Sequence, residues 1–409
     1  MGDLLFLSHR IPYPPDKGEK IRAFHILRHL ARDHRIHLGC LIDEAEDWQH
    51  VAALRTHCAD LAPFPLHKRR QRISALLGMR PGRALSVDYF HHRGLARWVA
   101  DKRARGITDA FVYSSAMAPY VMNHRGGRRV LDMVDIDSEK WRAYAEASRW
   151  PGRWIYAREA RTLLALERAA AADFDRTLLV SAAECAHFAR LAPELGGRVT
   201  PLENGVDLAR FLPDLAFPNP FAGAAPAIVF TGTMDYRPNA DAALWFAREV
   251  MPALRAAAAG GSAPEFHIVG ARPGAELRAL TRHPGIIVTG RVPDTRPYLA
   301  HAALVVAPLR IARGIQNKVL EAMAMARPVL ATPAAFEGIT AMPGRDLLLA
   351  ADPEAMIAAA AAVLAGRHPG LGPAARAAME RSYAWEKTLA PLDAWFAETP
   401  APTNAEICA

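Results

Sequence analysis

The 409-residue chain is poor in cysteine, in long apolar runs and, over one stretch, in acid. Its four cysteines, Cys40, Cys58, Cys185 and Cys408, are scattered and form no Cys-x-x-Cys pair. That spacing argues against a zinc knot or a disulfide framework and for a reducing, cytoplasmic setting. No apolar run approaches the ~20 residues that a membrane span requires. The N-terminus, MGDLLFLSHRIP, carries an acid at Asp3 and only a short apolar run, so it reads as a first β-strand and not as a secretion signal. Disorder is excluded as well, because 51% of the residues are hydrophobic and 22% charged, enough for two domains with ordinary cores.

The scarcity of acid is local. Residues 1–205 hold 32 Lys and Arg against 24 Asp and Glu, whereas residues 206–409 hold 18 of each. The whole net charge of +8 therefore lies in the first half, and the segment from His67 to Arg105 has 11 basic and 2 acidic residues. A solvated arginine-rich face, a phosphorylated substrate, nucleic acid or an anionic lipid surface would each account for it. Nucleic acid is not expected, since no basic and aromatic stacking pattern accompanies the charge. Ile73, Leu76, Leu77 and Met79 interleave with Arg69, Arg70, Arg72 and Arg80, which suits peripheral seating on the inner face of the cytoplasmic membrane.

What is present is a rhythm. LLFLSH, IHLGCLI, AFVYSS, RRVLDMVDID and RTLLVSAAE read as strands separated by helical stretches, the first helix running from Ile21 to Arg32. After a Pro-rich stretch the alternation restarts with AIVFTGTM, EFHIVG, GIIVTG, ALVVAPL, RPVLATP and LLLAADP. Alternation of this kind means parallel strands with crossover helices, so the fold class is α/β. Two doubly wound halves are expected: an N-terminal domain over 1–210, a linker over 211–227 and a C-terminal domain over 228–380. A helical segment over 381–400 is expected to pack back toward the first domain. Ligands of such sheets bind at the carboxyl ends of the strands, here in the cleft that two facing domains would form.

Several motifs then fall in order: FTGTM at Phe230–Met234, IVG at Ile268–Gly270, VTGRVPD at Val288–Asp294 and PLRIARGIQNKVLEAMAMARPVLAT at Pro308–Thr332. With ENGVD at Glu203–Asp207, LDMVDIDSEKWRAYAE at Leu131–Glu146 and the opening PPDKGEKIRAFHIL, the series resembles the retaining glycosyltransferases of family 4 with the GT-B fold. It is most similar to the bacterial sugar transferases associated with PEP-CTERM/exosortase exopolysaccharide clusters.

The resemblance implies two Rossmann-like domains facing a cleft, transfer of a sugar from a UDP- or GDP-linked donor, and a glycan or polyprenyl-linked acceptor. No metal or other cofactor is expected. The donor would be held by Gly232, Thr233, Met234, Gly290, Arg291, Val292 and the run Arg313, Gly314, Ile315, Gln316, Asn317, Lys318, with Glu321 accepting the ribose hydroxyls. Each motif also has a physical reason. Glycine lets the backbone approach a diphosphate, a helix N-terminus favours anions, and Lys318 adds a point charge. Arg237 is a second candidate cation. Taken alone, Lys318 and Glu321 would be an ordinary i,i+3 pair on a wet helix face.

One departure stands out. The family often carries a glutamate eight positions before the equivalent of Glu321, and this chain has Arg313 there. In the first half, Asp135 is expected at a strand tip near the transferred sugar. Asp135 with Asp137 also matches a metal-binding Asp-x-Asp, and both readings stay open. Lys17, Gly18, Lys20 and Arg22 form a loop suited to donor or acceptor phosphates. His91 and His92 lack ligand partners at useful spacing. The rival functions are a nucleotide-sugar epimerase of the same fold and a catalytically inert scaffold.

Overall fold

The computed structural model describes residues 2–195, 197–213, 216–221, 223, 225–258, 262–312 and 314–397. The chain divides into two compact units. One comprises everything up to Glu203 together with the C-terminal stretch from Leu389, and the other runs from Asn204 to Thr388. Two observations fit this division. The Arg376 guanidinium donates to the carbonyls of Leu208 and Phe211, so the segment after Asn204 is fastened within the second unit. His29 meets Asp393 at 2.6 Å and His34 packs on Phe396, both within the first.

The first unit is built on a seven-stranded sheet in which every described pairing is parallel. Its strands are β1 (Gly2–Ser8), β2 (His34–Ile42), β3 (Asp60–Pro65), β4 (Ala110–Tyr113), β5 (Arg129–Val134), β6 (Arg176–Leu179) and β7 (Val199–Pro201). The order is β3-β2-β1-β4-β5-β6-β7, so the winding reverses between β1 and β4. Leu4 to Leu7 are all buried, as a central strand covered on both faces requires. β3 and β7 were not expected from the sequence. β3 carries Pro63 and Pro65, and β7 is only three residues long.

Buried charge pins the first helix, Gly18–Leu30, to this sheet. Arg22 Nε and Nη2 donate to the two carboxylate oxygens of Asp132 at 2.7 and 3.1 Å, with both residues buried. Asp132 Oδ1 also accepts from the Val134 amide, whose residue holds φ = 67°. A β-branched residue in that region is strained and persists only where its surroundings over-determine it.

The second unit has a six-stranded parallel sheet in the order β10-β9-β8-β11-β12-β13. Its strands are β8 (Ala227–Thr231), β9 (Glu265–Val269), β10 (Ile286–Gly290), β11 (Leu304–Ala307), β12 (Val329–Ala331) and β13 (Leu348–Leu349). All six match the sequence expectation. Here the reversal falls between β8 and β11. Starts of helices are written plainly: Thr332 and Asp352 each precede a proline and accept the amides of Ala335 and Ala355. The long helix from Arg237 to Ala257 contains a π turn at Phe246–Val250.

The Arg22–Asp132 pair supplies a test. Arg22→Ala leaves a fully buried carboxylate unpaired, which costs about 3–5 kcal/mol. Urea denaturation is expected to show the least stable transition shifted down by that amount, whereas Lys17→Ala, on the surface, leaves it in place.

Candidate active site

The reversal point of the second sheet brings Gly232 and Lys318 together. Gly232 follows β8 and donates its amide to the Val269 carbonyl at 3.1 Å. A Cβ there would lie 2.7 Å from Asn239 Nδ2 and 3.2 Å from Lys318 Nζ, so the turn is glycine because two polar side chains occupy the space. Gly270, on the next strand, is tighter: an added Cβ would sit 1.7 Å from the Gly232 carbonyl oxygen.

Lys318 enters from the other side, in the first turn of the Asn317–Ala324 helix. Val319, Leu320, Ala322 and Met323 bury the helix's apolar face, which turns Lys318 and Glu321 away from the core. Lys318 Nζ donates to Asn239 Oδ1 and stands 4.8 Å from the centre of the Phe230 ring. Asn239 Nδ2 in turn donates to the Thr233 carbonyl at 2.9 Å, which fixes the amide's orientation. Among the described residues Lys318 makes no salt bridge. Desolvation therefore dominates and lowers its pKa from 10.5 to about 8, against the opposing charge of Glu321. Glu321 is pushed the other way, from 4.5 to about 7, by desolvation, which the positive charges of Arg210 and Lys318 only partly offset.

The remaining predicted residues are placed as follows. Gly314 (φ = 64°) and Gly290 (φ = 70°) both use the left-handed region that favours glycine. Gln316 donates to the Gly314 carbonyl at 3.0 Å, and Asn317 is bonded to Asn204 at 3.4 Å. Arg237 is exposed as the first residue of its helix, and Arg291 is exposed beside half-buried Val292. Thr233 is exposed and presents its carbonyl to Asn239. Met234 and Ile315 are buried in the core, so at most their backbones face a ligand. Arg313 lies outside the described residues. Asn239, Asn204 and Arg210 were missed by sequence reasoning. Asn204 lies in the ENGVD motif, but Asn239 had no signal beyond being a polar residue in a helix's first turn.

The first unit corrects part of the phosphate-loop expectation. Lys20 donates to both oxygens of Asp47 at 2.7 and 2.8 Å and is buried, and Arg22 is committed to Asp132. Neither presents a cation to a ligand, because a buried ion pair is held by the desolvation each charge would otherwise suffer. Lys17 bonds Glu44 at 2.8 Å beside exposed Gly18.

Around the β1/β4 reversal lie His9, Arg10, Glu19, Tyr113 and Asp135. Arg10 bonds Glu19 at 2.7 Å, His9 stacks on Tyr113 at 5.8 Å, and among the described residues the buried Tyr113 hydroxyl has no hydrogen-bond partner. Burial lowers His9 to about 4, so its imidazole is neutral near pH 7. Asp135 is open to solvent on one side, yet desolvation of the rest of the carboxyl, with Glu184 and Asp137 nearby, holds it above the usual range. Among the described residues no three His, Cys, Asp or Glu side chains come together as a metal site.

Comparison with known proteins accords with this geometry. Residues 225–366 match the family model described as glycosyl transferases group 1. No curated protein sequence matches the chain. Among solved structures, HepE from Anabaena in complex with UDP-glucose is 14% identical, with 97% of this chain and 99% of that chain covered and a TM-score of 0.65. WaaG, a glycosyltransferase involved in lipopolysaccharide biosynthesis, is 15% identical over 97% and 100% of the two chains, with a TM-score of 0.63. Sucrose-phosphate synthase from Thermosynechococcus elongatus is 16% identical over 97% and 98%, with a TM-score of 0.62.

The opposed shifts of Lys318 and Glu321 predict a narrow pH window. Protonated Lys318 is lost above about pH 8 and ionised Glu321 below about pH 7, so a donor held by both charges would bind only between these values. Calorimetric affinity for a nucleotide sugar is expected to peak between these values, and Glu321→Gln abolishes the acid limb. The same substitution stabilises the free protein at pH 8. A carboxyl whose folded pKa exceeds its unfolded one destabilises the fold as pH rises from 4.5 through about 7, and the amide does not. The switch-point geometry and the fold accord with the match: residues 225–366 are similar to the glycosyl transferases group 1, in a chain with the GT-B fold.

Proposed function

We propose that the protein is a retaining glycosyltransferase that moves a sugar from a nucleotide-diphosphate donor to a lipid-linked glycan acceptor in exopolysaccharide or cell-surface polysaccharide synthesis. One observation carries the donor half of this reading. Lys318, Asn239 and Gly232 meet at the β8/β11 reversal, with Glu321 one turn further along the Lys318 helix. That point is where an open α/β sheet binds its ligand. HepE, the Anabaena relative in fold, holds UDP-glucose, which favours a uridine donor. Retention and the exopolysaccharide setting rest on the motif resemblance.

In this reading the bond between the sugar's C1 and the diphosphate oxygen breaks while the acceptor oxygen bonds C1 from the same face. The acceptor's proton passes to the departing phosphate. Lys318 stabilises the charge that grows on that phosphate, and Asn239 holds the ammonium in place without neutralising it. Arg237, exposed at a helix N-terminus, is the second cation. Glu321 receives the ribose hydroxyls, and the backbone around Gly290–Val292 reads the base. Because cationic side chains and helix termini do this work, transfer proceeds without a metal. Asp135 lies near C1 of the transferred sugar, and His9, Glu19 and Tyr113 beside the β1/β4 reversal face the acceptor. The exposed Lys68–Leu77 helix, with Arg69, Arg70 and Arg72, seats the protein on an anionic membrane surface.

Incubation with labelled UDP- and GDP-sugars tests the reading. Transfer or slow donor hydrolysis is expected, with retained anomeric configuration in the product, and tight binding without turnover would indicate a scaffold instead. Lys318→Ala is expected to lower kcat by about 10²–10³-fold with a smaller rise in donor KM, as loss of a transition-state contact demands. Activity is expected to survive EDTA. Loss that manganese or magnesium restores would return Asp135 and Asp137 to the role of metal ligands.

A further inference from the structure

The membrane reading above places the contact on one basic helix, but the structure shows a second surface beside it. We propose that the tip of the helix pair Asp137–Glu146 and Gly152–Asp173 is an aromatic prong that inserts into the headgroup region of an anionic membrane. Trp150 is 83% exposed and Trp154 53% exposed, values far outside what large indoles accept on an ordinary water-facing surface. They stand on a firm base. The rings of Trp141, Tyr144 and Tyr156 contact one another at 5.5–6.1 Å between centroids. Below them Trp141 packs with Ala84, Val87 and Leu163.

This tip and the basic helix belong to one face. Arg158, one turn after Trp154 on the same side of its helix, donates to the carbonyls of Arg80 and Arg83. Glu159 accepts the amides of Leu85 and Ser86. These bonds fasten to the hairpin the segment that directly follows the Lys68–Leu77 helix, whose last residue, Leu77, is 84% exposed. Arg69, Arg70, Arg72, Arg80, Arg149 and Arg153 are all exposed, and among the described residues none of their side chains makes a salt bridge. Glu146 is the one exposed acid close by in sequence.

Charge and apolarity together select the partner. Unpaired guanidinium groups around exposed indoles and leucines match a surface that is anionic outside and apolar just beneath. Tryptophan suits that boundary because its ring is apolar and its N–H finds water or a headgroup oxygen. A nucleic acid would satisfy the arginines and leave Ile73 and Leu77 in water.

The full-length protein is mixed with vesicles of phosphatidylcholine containing phosphatidylglycerol, and with phosphatidylcholine alone. Wild type is expected to sediment with the anionic vesicles only, and less so as salt rises. Trp150→Ala with Trp154→Ala is expected to weaken partitioning about tenfold or more, because two apolar insertions are lost, while thermal stability and turnover on a soluble acceptor analogue are unchanged. Lipids brominated near the headgroup are expected to quench the wild-type tryptophan emission more than that of the double variant. Equal vesicle binding by the double variant, or equal quenching, overturns the prong and leaves membrane seating by the basic helix standing. Wild type remaining in the supernatant at low salt overturns both, whereas the donor assays above judge the transferase reading separately. Binding to a single-stranded oligonucleotide but not to vesicles assigns the face to nucleic acid and also overturns the proposal.

Discussion

A cation held by a neutral amide, with no salt bridge among the described residues, is the constraint on which the second unit's site depends. Lys318 carries its ammonium into a half-buried position where the Asn239 amide oxygen and the Phe230 ring face meet it, with the Glu321 charge one turn away. An aspartate in place of Asn239 would bind the ammonium more strongly and neutralise it. The amide holds it and leaves the charge available, with a lowered pKa as the mark of that incomplete solvation. Gly232 follows from the same constraint, since a side chain there would displace both partners. Gly270 follows from Gly232, whose carbonyl fills the space a Cβ would need.

The first unit manages charge in the opposite manner. Lys20–Asp47 and Arg22–Asp132 are complete, buried pairs that spend their charge on holding a helix against a sheet. They sit beside the β1/β4 reversal, where Ser114 and Val134 both hold positive φ at the ends of neighbouring strands. Strain of this kind is maintained by surroundings that fix the backbone, and a bidentate Arg22–Asp132 pair is such a fixture. The unit thus combines a rigid frame with a small group of unsaturated polar atoms, notably the Tyr113 hydroxyl.

Much of this was legible in the sequence, for reasons that differ by element. The six strands of the second sheet were readable because each is a short apolar run bounded by Gly, Pro or a cap. β3 was not, since its prolines argue against any strand except one at an edge, which is where it lies. β7 is too short to show a period. Glu321 was singled out by the motif resemblance, since alone it would pass for half of an ordinary i,i+3 pair with Lys318. Lys20 and Arg22 were misread because their partners lie 27 and 110 residues away, beyond any local pattern. Asn239 stayed hidden for the same reason: its role is set by Lys318, 79 residues further on. The exposure of Trp150 and Trp154 at the hairpin tip is set by tertiary packing and left no local pattern to read.

The π turn in the Arg237–Ala257 helix has a consequence for phase. Its buried residues recur every four positions, at Ala242, Phe246, Val250 and Leu254. In an unbroken α-helix a four-residue repeat advances about 40° per step, so a straight stripe would wander off the sheet within three steps. The wide turn at Phe246–Val250 takes up that drift, as an inserted π-bulge does. The helix therefore behaves as two rods joined out of phase. Its C-terminal part is aligned by the sheet, and its first turn is aimed separately, at Lys318. Deleting Arg248 or Glu249 would keep every apolar residue of the stripe, yet it would rotate Asn239 by about 100° around the axis and away from the ammonium it holds. The length of this helix, and not only its residues, is part of the site.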